Sequence, residues 1–163
     1  MLGSAPVVDT VAHSEAFVEA LAGVAGVVVD LGSGGGVPGL VIAWRRDDLR
    51  VVLVDRRATR TDHLQRLVAK LHLEPRVTVL TADAGQLPRL LAGPVSAVVA
   101  RGFGGPTSVI AAALPILSIG GLLVVSEPPE GSDRWVSVVG AENFQRRSSS
   151  PKVAVLQRVP RGA

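Results

Sequence analysis

The chain has no cysteine and no tyrosine, and aromatic residues make up only 3% of its 163 positions. Without cysteine there can be no disulfide, no thiolate nucleophile and no sulfur-ligated metal. Without tyrosine, a tyrosine-dependent short-chain dehydrogenase is excluded. So few rings also cannot form an extended stacking platform for single-stranded nucleic acid. Long apolar runs are missing as well: no stretch approaches the roughly 18 uninterrupted residues of a membrane span. The opening MLGSAPVVDT carries no basic segment of the secretory kind. The expectation is a cytoplasmic protein with no membrane partner. His63 and His72 have no ligand-like spacing to acids, so no metal is expected.

Positive charge is absent from the first 43 residues, which carry Asp9, Glu15, Glu19 and Asp30. Residues 44 to 70 then hold eight bases against four acids, and Arg134, Arg146, Arg147, Lys152, Arg158 and Arg161 enrich the tail. The net charge is +3. Such patches suit an anionic partner, RNA included, or an ordinary solvated surface.

What is present is a run of short apolar segments separated by turns. Strands are expected near 27–31, 51–54, 77–80, 95–100, 121–126, 144–147 and 152–158. Most are continuously apolar, as strands covered on both faces of a parallel sheet are. Leu64, Leu67, Val68 and Leu71 have the spacing of a helix with one buried stripe. Pro38 fits the first turn of the helix before that one, a third is expected over Thr107–Leu117, bent or ended by Pro115, and a short one over Ser14–Leu21 with Phe17, Val18 and Leu21 on one face. Trp44 is expected in the core and Trp135 at the surface. This predicts a doubly wound α/β fold, a mostly parallel seven-stranded sheet. Residues 1–25 form a short N-terminal extension and 26–160 the main domain; residues 1–10 and 159–163 are expected to be loose.

Between the first strand and its helix lies DLGSGGGVPG, residues 30 to 39. In such sheets ligands bind at the carboxyl ends of the strands, where the strand order reverses. Glycine lets a ligand approach the main chain there. A dinucleotide is one candidate, since residues 34–39 match G-x-G-x-x-G. Yet the match begins several residues beyond the strand, and Asp30 would face a pyrophosphate. S-adenosylmethionine suits the acids better, having an ammonium and a sulfonium and no phosphate. Asp30 can accept from the ammonium directly or through water, Asp55 from the ribose hydroxyls, and Asp83, with Ala84 beside it, from the adenine amine. Each acid could equally be a turn or cap residue. The expected binding set is Asp30, Gly32, Ser33, Gly34, Gly36, Gly39, Asp55, Arg56, Asp83, Ala84 and Arg101. Arg101 also serves as the catalytic candidate, able to orient a base edge or neutralise a phosphate. Phe103 could stack on a base, or belong to the core.

DLGSGGGVPGL, VDRRATR and ARGF together resemble the 16S rRNA guanine-N7 methyltransferase G family (glucose-inhibited division protein B) over residues 13 to 127. The resemblance implies a class I methyltransferase fold, S-adenosylmethionine as donor, and the 30S subunit or its 16S rRNA as partner, with Arg60 and Phe103 toward the substrate. The chain departs from the pattern in places. Thr59-Arg60 stands where a Lys-Arg pair is usual, Gly102 where alanine is usual, and Ser126-Glu127-Pro128-Pro129 where a lysine and a glycine are expected. His13 matches a family histidine or caps a helix. Only one helix precedes the core, where the family has several. A methyltransferase for a small molecule or a protein, and a non-catalytic module binding adenosylmethionine or RNA, stay open as alternatives.

Overall fold

The computed structural model describes residues 7–128, 134–135 and 137–162. Seven strands form one sheet: β1 Gly26–Leu31, β2 Leu49–Asp55, β3 Val77–Thr81, β4 Val95–Ala100, β5 Leu117–Ser126, β6 Phe144–Ser149 and β7 Val153–Arg158. Their order is β3-β2-β1-β4-β5-β7-β6. The first five run parallel, and β7 is antiparallel to both β5 and β6. The order reverses between β1 and β4, so the carboxyl ends of those strands open the crevice that such a reversal creates.

The helices are α1 Val7–Ala20, α2 Gly39–Arg45, α3 Ala58–Lys70, α4 Leu87–Leu90 and α5 Pro106–Ala113. On one face of the sheet, Phe17 and Leu21 at the end of α1 join Ile42 of α2, Leu64 of α3, and Val28, Leu53 and Val99 of the sheet in one buried cluster. On the other face Val109, Ile110 and Ala113 of α5 pack with Val29, Val98 and Leu123. The strands are thus buried on both sides, which is why they read as unbroken apolar runs rather than alternating ones. Among the described residues no helix is long and apolar enough to cross a membrane.

Several local expectations need correction. α1 begins at Val7, not Ser14, so residues 7–10 are helical and not loose; residues 1–6 lie outside the described residues. β5 starts four residues early, at Leu117, because α5 ends at Ala113 and Pro115 lies in the turn between them. The two tryptophans exchange their expected places. Trp44 is 61% exposed, because the seven-residue α2 buries Gly39, Leu40, Ile42 and Ala43 and its Trp falls beyond that stripe. Trp135 is buried, with its Nε1–H donated to Glu127 Oε1 at 2.5 Å and the Arg134 guanidinium 5.1 Å over its ring. A buried indole needs such an acceptor, and its neighbours along the chain do not announce one.

Candidate functional site

The glycine loop is built around two polar side chains from its own start. Ser33 bridges β1 and β2: its Oγ donates to the Asp30 carbonyl at 3.0 Å and accepts from Val54 N–H at 3.0 Å, while its N–H donates to the Val54 carbonyl at 2.8 Å. Asp30 turns inward. Its carboxyl is 1% exposed and Oδ2 accepts the N–H of Gly39, the first residue of α2, at 3.0 Å. A methyl on Gly39 would collide with Asp30 Oδ2 and Leu53 Cδ2, so only glycine lets helix and carboxyl come this close. Burial pushes the Asp30 pKa up to about 7, against the opposing effect of the Gly39 N–H and the nearby Ser33 hydroxyl and with a small push from Asp55. A cis peptide joins Val37 to Pro38 just before the helix.

Asp55 closes β2 at the same end of the sheet, 4% exposed. Its Oδ2 accepts from Gly34 N–H at 3.1 Å and its Oδ1 from Arg57 N–H at 2.9 Å. Arg60 Nη1 stands 3.5 Å from Oδ2. Beside it opens a cavity of about 300 Å³ lined by Gly32, Asp55, Arg56, Arg57, Arg60, Asp83, Ala84 and Phe103, with Val54, Ala82 and Gly102. Gly32 has φ +67°, and a methyl there would stand 3.1 Å from Phe103 Cδ2. Asp83 caps the 3-10 turn Ala84–Gln86: its Oδ1 accepts from Gly85 N–H at 3.3 Å, and Gln86 Oε1 accepts from Asp83 N–H at 2.8 Å. The turn and cap reading therefore describes this side chain, which is nonetheless exposed at the cavity wall.

A second cavity, about 400 Å³, shares Gly102 and Phe103 with the first and is bounded by His13, Arg101, Gly104, Val125, Ser126, Glu127, Pro128 and Arg134. Phe103 is half-buried and packed against the core while forming the wall common to both. His13 has its pKa lowered, first by burial and then by the charges of Arg101 and Lys152, so its imidazole is neutral near pH 7. Two larger clefts, about 560 and 630 Å³, lie toward the amino ends of the strands; among the described residues their charged lining is Arg147 in one and Arg50 and Arg76 in the other. Neither is lined by a carboxylate among the described residues.

The expected set thus divides. Gly32, Asp55, Arg56, Arg60, Asp83, Ala84 and Phe103 meet at one cavity; Arg101 lines only the neighbouring one. Asp30, Ser33, Gly34, Gly36 and Gly39 shape the loop without lining either. Sequence reasoning passed over Glu127, since it ends the fifth strand and not the fourth; the signal was a lone acid directly after the apolar run Leu122–Val125 and Ser126. Pro129 lies outside the described residues.

Comparison with known proteins gives consistent likenesses. A family model described as rRNA small subunit methyltransferase G (GidB) matches residues 6–133. Curated relatives named ribosomal RNA small subunit methyltransferase G include that of Leptothrix cholodnii, 34% identical over 58% of this chain and 41% of its own. That of Frankia alni is 38% identical over 63% of this chain and 36% of its own. The chain therefore spans well under two thirds of these relatives. The Acinetobacter baumannii relative is 28% identical over 83% of this chain and 68% of its own. Among solved structures, an rRNA methylase from Streptococcus thermophilus superposes with TM-score 0.61 at 16% identity, covering 98% of this chain and all of that one. An O-methyltransferase from Thermotoga maritima gives 0.69 at 16% identity, over 92% and 66%. At these identities the structural likeness speaks for the fold.

Proposed function

The chain belongs to the rRNA small subunit methyltransferase G family, and on that premise we propose that it transfers a methyl group from S-adenosylmethionine to N7 of a guanine in small-subunit rRNA. The observation that carries the donor is the Asp30 carboxyl on the N–H of Gly39. In a dinucleotide site the start of this helix would receive the pyrophosphate. Here a buried carboxyl already takes that N–H, so a ligand without phosphate fits the loop and one with phosphate does not.

The first cavity fits the nucleoside end of that donor. Asp55 has each oxygen engaged by one backbone N–H and each with a further lone pair, which suits a vicinal diol. Ala84 and Asp83 stand at the next strand end, where the adenine would lie, and Arg56 flanks Asp55 at the mouth. The second cavity, across Phe103, would take the acceptor base, with Arg101 toward its edge or its phosphate and Arg60 toward the polymer.

S-adenosylmethionine supplies a methyl group bonded to a cationic sulfur. Guanine N7 has an in-plane lone pair, so the N–C bond can form as the C–S bond breaks, and no side chain need remove a proton. The work left to the protein is alignment at about 3 Å and exclusion of water. Phe103 and Gly102, shared by both cavities, would serve that alignment. A cationic mouth formed by Arg56, Arg57 and Arg60 would draw in an anionic polymer, with an affinity that falls as salt rises.

Isothermal titration with S-adenosylmethionine and with NADH tests the donor: micromolar binding to the first and none to the second is expected. Incubation with labelled donor and small-subunit rRNA or 30S subunits lacking the modification tests the acceptor. Label in N7-methylguanine is the expected product; donor binding with no label in rRNA would move the acceptor to a small molecule or a protein.

A further inference from the structure

Two residues that line the second cavity each carry a buried polar atom with no hydrogen-bond partner among the described residues, Glu127 Oε2 and His13 Nε2. Glu127 comes from the end of β5 and is 7% exposed. Its other oxygen is committed, accepting from Trp135 Nε1–H at 2.5 Å and facing Arg134 Nε at 3.4 Å. Arg134 is itself pinned, donating from Nη2 to the Ser126 carbonyl at 2.5 Å. One carboxylate oxygen is therefore fixed in place, while the second has no partner among the described residues, in a side chain that lines the second cavity. A buried acceptor without a donor is costly, and native interiors rarely keep one without a use.

We infer that Glu127 reads the acceptor base, its Oε2 accepting from the N–H edge of guanine, N1–H with the 2-amino group beside it. This rests on the guanine reading proposed above and assigns the group that recognises it. An ionised carboxylate only accepts, so it selects an edge that donates. Guanine offers adjacent donors there, whereas adenine and uracil each place an acceptor next to a donor. His13 Nε2, in its protonated tautomer, supplies a donor for O6, the acceptor adjoining N1–H. The layout also orients the reaction. Glu127 lies in the cavity away from the glycine loop, and the two cavities meet at Gly102 and Phe103. A guanine with its N1–H edge on Glu127 turns the opposite edge, which carries N7, toward the donor cavity.

The test is a specificity exchange. The guanine methylated by the wild-type enzyme is first mapped, and rRNA is then assembled with 2-aminopurine at that position, which keeps N7 and the amine but presents a bare acceptor at N1. Rates on guanine and 2-aminopurine rRNA are compared for the wild type and for Glu127→Gln, in which Oε1 still accepts from Trp135 and an amide N–H replaces Oε2. The guanine to 2-aminopurine preference is expected to fall by about 5- to 150-fold in the variant, the range of one base-edge contact. S-adenosylmethionine binding should stay at the wild-type level. Because the readout is a ratio, a variant that is only partly folded still reports it. An unchanged ratio, with guanine N7 still methylated by both proteins, would overturn the assignment of Glu127 and leave the guanine reading intact. A wild-type enzyme that methylates no rRNA overturns both.

Discussion

The carboxyl of Asp30 and the N–H of Gly39 meet at 3.0 Å in the interior, and this one bond joins the end of β1 to the start of α2. Because burial raises the Asp30 pKa from 3.8 to about 7, the folded protein holds that proton more tightly than the unfolded chain. Its contribution is full below the unfolded value, declines as the pH rises from about 4 to 7, and is level above that. Asp30→Asn keeps the acceptor and removes the titration. Urea unfolding at intervals from pH 4 to 8 should show the variant gaining on the wild type by about 1.4 kcal/mol for each pH unit of that window. Parallel curves would mean that Asp30 titrates normally.

Gly39→Ala tests the same junction sterically. The added methyl meets Leu53 and Asp30, both held in the core, and a loss of about 1–3 kcal/mol is expected. Gly93→Ala is the comparison, since a methyl there meets nothing within 4 Å and should be neutral or slightly stabilising. Equal unfolding midpoints for the two variants would contradict this packing.

Asp55→Asn should weaken S-adenosylmethionine binding by about 10- to 100-fold, the worth of a charged hydrogen bond. It should also lower the melting temperature, because Gly34 and Arg57 donate to the same carboxylate. Titration calorimetry and thermal unfolding separate the two effects. Full donor affinity in a folded Asp55→Asn protein would remove Asp55 from the site.

The tryptophans provide a spectroscopic check. Acrylamide should quench Trp44, which is 61% exposed, and leave Trp135, at 6%, largely shielded. Trp44→Gln should change stability by less than about 0.5 kcal/mol, whereas Trp135→Phe, which removes the nearer of the two donors to Glu127 Oε1, should cost about 1–3 kcal/mol. The reverse ranking would return both residues to the places their sequence neighbours suggest.

Much of the fold could be read along the chain because its signals are local. An unbroken apolar run of five or six residues followed by a turn has few alternatives to a strand buried on both faces, and β4 at Val95–Ala100 has the expected bounds. Departures arose where distant partners decide. The apolar side of its helix suggests a core place for Trp44, but α2 buries Gly39, Leu40, Ile42 and Ala43, and Trp44 lies outside that stripe. Trp135 is expected at the surface, yet it is buried with its N–H donated to Glu127.

The layers, the glycine loop at the carboxyl end of β1, and the acids at the ends of three successive strands were all set by residue type over short spans, and so were legible before any fold was known. What those acids do depended on the folded chain. Asp30 is turned inward because the first free N–H of α2 arrives beside it, Asp83 is drawn onto the turn that follows it, and Asp55 remains at a cavity wall. Likewise it is folding that brings His13 of α1 and Glu127, at the end of β5, to one cavity. Burial and hydrogen-bond partners are set by the whole sheet, and no local pattern encodes them.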